Sequence, residues 1–69
     1  MTVNVAVHDG YDLDQVSEEL TRAGAKVGRK LRSLNMVTAE LPDSSKLEQV
    51  RSIEGVRAAE PDEQKYASD

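Results

Sequence analysis

The chain of 69 residues contains no cysteine, phenylalanine or tryptophan, and only two prolines and four glycines. Without cysteine there is no disulfide to brace a small domain and no thiolate to hold a metal. Without Phe or Trp the core must be built from Val, Leu, Ile, Ala and Met. One domain of this length buries little apolar surface, so marginal stability alone and a gain on binding a partner are expected. Positive charge is also scarce, nine Lys and Arg against thirteen Asp and Glu giving a net charge of −4. An acidic chain with two Tyr as its only aromatics lacks the basic field and the stacking platforms of a nucleic-acid binder. No apolar run approaches the roughly 20 residues of a membrane span. Met1-Thr2-Val3-Asn4 has neither the basic nor the apolar part of an export signal. A soluble chain is expected, cytoplasmic as encoded, or secreted if it is trimmed from a longer precursor.

What is present is strong periodicity. Val3, Val5 and Val7 alternate with Asn4, Ala6 and His8, the period of a strand with one buried face. Asp9-Gly10 ends it, and Asp12 with Gln15 forms a capping box for a helix. Leu13, Val16, Leu20 and Ala23 then make one apolar stripe, with Glu18, Glu19 and Arg22 on the wet side, and Gly24 closes the helix. Ala25 to Leu34 reads as a second strand, with Val27 and Leu31 as its core candidates and Gly28 as a bulge. The cluster Lys26, Arg29, Lys30 and Arg32 reads as a sheet edge protected by charge. After the tight connection Ser33-Leu34-Asn35, Val37, Ala39 and Leu41 alternate with Met36, Thr38 and Glu40. Pro42 stops that strand. Asp43, Ser44 or Ser45 caps a second helix, Ser45 and Glu48 forming another capping box, and Leu47, Val50 and Ile53 supply its stripe up to Gly55. Val56 to Ala59 is a last strand, closed by Pro61.

The order β-α-β-β-α-β predicts an α+β domain over residues 1–62, with residues 63–69 as a C-terminal tail. It packs as a ferredoxin-like sandwich, a four-stranded antiparallel sheet with both helices on one face. The other face would carry Asn4, Ala6, His8, Met36, Thr38 and Glu40, small and mixed groups that nothing covers. Fold alone does not decide function, but the residues exclude several uses of it. The strands lack the aromatics that stack RNA bases. The first loop, His8-Asp9-Gly10-Tyr11-Asp12, is acidic and unsuited to a phosphate. His8 and Asp9 are adjacent at a strand end, where side chains diverge, and no nucleophile accompanies them. No glycine-rich phosphate loop follows any strand. Neither catalysis, nor a metal, nor a cofactor is expected.

Two resemblances carry function. Val5 to Leu20 resembles the opening of ACT-type regulatory domains, which implies a small-molecule-binding module taking amino acids at the first loop. Gly24 to Leu41 and Leu47 to Asp62 resemble the propeptide-like inhibitors of subtilisin-type serine proteases. The matching features are a Lys-rich second strand, a third strand of small and β-branched residues, a Leu-x-x-Val helix, a Gly-Val turn and a strand ending in Glu-x-Asp. That resemblance implies a chain that is a monomer when free and acts as an inhibitor or folding chaperone of such a protease. Its open sheet face, with Met36, Thr38 and Glu40, would lie on two surface helices of the protease, whose N-termini Glu60 and Asp62 would cap. A helix start exposes unpaired N–H groups and a partial positive charge, which a carboxylate satisfies. Lys65, Tyr66, Ala67 and Ser68 would run along the substrate cleft as an added strand. The usual register implies Ser68 in the primary pocket and Lys65 in the fourth subsite; a shift of two implies Tyr66 in the primary pocket instead.

Overall fold

Val3, Val5 and Val7 sit fully buried on one side of a strand, β1 (Thr2–Val7), that runs through the middle of a four-stranded sheet. The computed structural model describes residues 1–62. Helix α1 (Leu13–Arg22) follows, then β2 (Lys26–Leu31), a 3-10 turn at Arg32–Leu34, and β3 (Met36–Glu40). A second 3-10 turn, Ser44–Lys46, leads into the short helix α2 (Leu47–Arg51) and the strand β4 (Val56–Pro61). The sheet order is β2-β3-β1-β4 with antiparallel neighbours throughout, the ferredoxin-like arrangement. Both helices pack on the same face. Leu13, Val16 and Leu20 of α1 and Val50 of α2 close one aliphatic core over Val3, Val5, Val7, Val37, Ala39 and Ala59.

Local chemistry sets the helix ends. Asp12 is extended, and its carboxylate accepts from the Asp14 backbone N at 3.0 Å, satisfying one of the donors a helix start leaves free. Ser17 lies on the buried stripe because its hydroxyl donates to the Leu13 carbonyl at 2.8 Å. The start of the second helix is only partly as expected. Asp43, one of the three expected caps, caps a 3-10 turn rather than α2: its carboxylate accepts from both the backbone N and the hydroxyl of Ser45. Ser45 is thereby drawn away from Glu48, a 3-10 turn replaces the first helical turn, and α2 starts at Leu47 with no side-chain cap.

Both outer strands are irregular. In β2, Val27 pairs with Ala39 and Lys30 with Val37, so Gly28 and Arg29 together oppose Thr38. The expected bulge is there, but it reverses the faces beyond it. Lys30 now lies on the helix side, and Leu31, expected in the core, pairs with Met36 on the opposite face. In β4, Ala58 pairs with Ala6 and Val56 with Val7, which leaves Arg57 as the extra residue. That strand runs on past Ala59 to Pro61, a residue an edge strand tolerates because no outer partner needs its N–H. Bulges on both edges discourage edge-to-edge pairing with other chains.

The basic cluster is partly spent within the fold. Asp14 accepts from Lys30 Nζ at 2.9 Å and Arg32 Nη2 at 3.1 Å, tying the first turn of α1 to the end of β2. The hydrogen bond and charge of Lys30, with the charge of Arg32, hold the Asp14 carboxyl below its ordinary pKa. A pKa lower in the folded than in the unfolded chain adds stability above the unfolded value, which is lost as pH falls through the folded one. Asp14→Asn should therefore flatten the acid limb of the stability profile below about pH 4 and leave its neutral slope unchanged. Urea titrations at a series of pH values read this directly. The difference will be small, because exposed ion pairs contribute little.

Candidate interaction face

Directly opposed residues in an antiparallel pair share a face, so the strand registers lay the side of the sheet that no described helix covers out in three rows. The first is Lys26, Glu40 and Thr2; the second is Thr38, Asn4 and Glu60, with Gly28 beside Thr38. The third is Leu31, Met36, Ala6 and Ala58, an apolar row crossing all four strands. Met36, Thr38, Glu40 and Glu60 thus share the face expected of them. Asp62 follows β4 directly, its backbone N donating to the Thr2 carbonyl at 2.8 Å, which holds the chain against β1 as it leaves the sheet. Lys65, Tyr66, Ala67 and Ser68 lie outside the described residues.

The face has relief. A hollow of about 260 Å³ lies over the alanines of the third row, lined by Asn4, Ala6, Met36, Arg57, Ala58 and Glu60 together with Pro61. Ala6, only 7% exposed, lies in its lining. A second hollow lies near the other edge, lined by Thr2, Lys26, Val27, Gly28, Thr38, Ala39 and Glu40. Gly28 keeps it open: a Cβ there would come within 2.8 Å of Thr38 Oγ1, which already accepts from the Arg29 backbone N at 2.8 Å. Glu40 is engaged locally, accepting from the Thr2 hydroxyl at 2.9 Å and lying 3.6 Å from the terminal amine. Glu60 is exposed.

Leu31, Ala58 and Lys26 belong to this face and were not expected on it. For Leu31 the signal is Gly28, since a bulge changes which residues point which way beyond it. Conversely, His8 does not extend the face. The strand ends at Val7, and His8 turns toward the loops, its backbone N donating to the Gly55 carbonyl at 2.8 Å.

That end of the molecule is stitched from three connections. Asn35, left-handed at φ 56°, accepts from the Val7 backbone N and donates its side-chain amide to the Val7 carbonyl and to Asp9 Oδ1. The Tyr11 ring lies against Gly55, and its hydroxyl donates to Glu54 at 3.2 Å. Hydrogen bonding to Glu54, and the charge of that carboxylate, push the Tyr11 phenol above its ordinary pKa. A cleft beside it is lined by Tyr11, Gln15, Val16, Glu19, Ser52, Ile53 and Glu54. Its charged groups among the described residues are two carboxylates, so it offers no cation to pair with the carboxylate of an amino acid.

No family model, no curated protein and no solved structure matches this chain. Among the described residues, no helix is long and apolar enough to cross a membrane.

Proposed function

We propose that this chain binds a subtilisin-type serine protease as a propeptide-like inhibitor or folding chaperone, through the open face of its sheet. The observation that carries the reading is the exposed Glu60 on that face, with Asp62 two residues on where the chain leaves β4. Two carboxyl groups at the exit of an edge strand suit the exposed N–H groups of partner helices, where a carboxylate gains hydrogen bonds and a favourable dipole. The mostly small groups of the central strands, Asn4, Ala6 and Thr38, let a partner's backbone come close. The tail that follows Asp62 is then delivered toward the substrate cleft as a product-like strand, with Lys65 to Ser68 as the contacting residues.

The test is inhibition of a subtilisin acting on a chromogenic peptide. Glu60→Ala should weaken inhibition about tenfold, the scale of a charge-assisted hydrogen bond. Removal of residues 63–69 should abolish it while leaving the fold intact by circular dichroism. Inhibition untouched by that truncation would remove the tail from the mechanism, and no inhibition by the whole chain would remove the reading.

A further inference from the structure

The open face is unlike on its two halves. The β2–β3 half carries the bulky apolar pair Leu31 and Met36, the basic Lys26 and the hollow beside Gly28. The β1–β4 half carries the small residues Ala6 and Ala58, the hollow above them, and the acidic Glu60. Glu40 is of the opposite sign to its half but is already engaged by Thr2 and the terminal amine; Arg57 stands in the lining of the alanine hollow.

We infer that this face pairs with the same face of a second copy, about a twofold axis that lies in the interface and runs along the strands. That axis exchanges β2 with β4 and β3 with β1 while keeping each row over its own counterpart. Leu31 then stands over Ala58 of the second copy and Met36 over Ala6, large groups entering the alanine hollow. Thr38 meets Asn4, a hydrogen-bonding pair. Glu60 faces the space left by Gly28, whose lining includes Lys26. The axis across the strands reverses the rows instead, setting the apolar row over Lys26, Glu40 and Thr2. Only the first arrangement matches size with size and charge with charge, as a self-complementary twofold interface requires.

Four strands about 4.8 Å apart and six residues of about 3.3 Å each give a face roughly 20 Å on a side. That is on the order of 400 Å² per copy, about half of a standard interface. The pairing is therefore weak and concentration-dependent. It covers the surface assigned above to the protease, so free chain and partner compete for one face, and the monomer expected from sequence is the dilute species.

Sedimentation equilibrium on the full chain, from about 10 µM to about 1 mM, spans the affinities of such dimers. The expected result is a mass rising from 7.6 kDa toward twice that value. Leu31→Glu should hold it at the monomer throughout. Lys26→Glu and Glu60→Lys should each weaken pairing about tenfold, and the two together should restore it to within about threefold of the parent. All three positions lie at the outer strands, and circular dichroism verifies that the variants fold. A mass constant to the top of the range, pairing indifferent to Leu31→Glu, or a double variant no tighter than the singles would each overturn the inference. The pairing does not depend on the protease reading: removal of residues 63–69 should lose any inhibition and keep the dimer. A dimer without inhibition leaves the pairing standing and removes the other.

Discussion

Leu20→Ala should leave little folded protein at ordinary temperatures. Leu20 is fully buried at the centre of the single core cluster, under α1 and against the valines of β1. Truncating such a leucine costs about 2–5 kcal/mol, part transfer and part residual cavity. A chain of this length has a total stability of about 3–10 kcal/mol, and no disulfide, Phe or Trp reinforces it. The urea midpoint should fall by about 2 M or more, at the small slope of so short a chain. Glu18→Ala, on the exposed side of the same helix, should stay within about 0.5 kcal/mol of the parent. A Leu20→Ala midpoint that moves no further than that of Glu18→Ala would mean that α1 does not seat on the sheet as described.

The second large effect is expected at Gly55→Ala. The residue is left-handed at φ 97°, and an added Cβ would lie 2.7 Å from Tyr11 Cδ2 and 3.2 Å from Val16 Cγ2. The backbone alone costs about 1–2 kcal/mol for a side chain in that region. The collision adds to it, because Val16 is buried and the Tyr11 ring is held by Glu54. Gly24, left-handed at φ 99°, has nothing within 4 Å of an added Cβ, so Gly24→Ala reads the backbone cost by itself. Gly55→Ala should exceed it by about 1 kcal/mol or more. Combining Gly55→Ala with Tyr11→Ala should cost less than the two singles summed, since the second change relieves the first. Strict additivity in that cycle would remove the contact from the explanation.

Much of the fold is legible in the chain because its signals are local. The Val3-Val5-Val7 alternation, the Asp12 cap and the glycines at 24 and 55 each act within a few residues, and each appears where its chemistry puts it. The misses are the places where a non-local or competing bond decides. Ser45 had two carboxylates within reach, Asp43 and Glu48, and the nearer one took both its donors. Leu31 follows perfect alternation with Val27, yet the strand spends one residue at Gly28 and Arg29 to stay in register with β3. His8 continues the β1 pattern, but Asn35 and Gly55 take the backbone groups at that point and turn the chain away. For the interaction face, Met36, Thr38 and Glu40 followed from alternation, and Glu60 from the resemblance to the propeptide-like inhibitors. The lateral order of the strands, which joins Leu31 and Met36 to Ala6 and Ala58 in one row, is set by topology that no short window contains.

The surplus residue in β2 also predicts how this domain can drift. Because Gly28 and Arg29 together oppose Thr38, loss of Arg29 would leave one residue opposite one, with Val27, Lys30 and Leu31 still against their present partners. A side chain at 28, by contrast, would put its Cβ 2.8 Å from Thr38 Oγ1, so that hydroxyl must move and loosen its bond from the Arg29 backbone N. Here a length change is the gentler edit and a point substitution the harsher one, the reverse of what holds in most strands. Relatives of this chain that differ by a single gap in the second strand would therefore keep the same face.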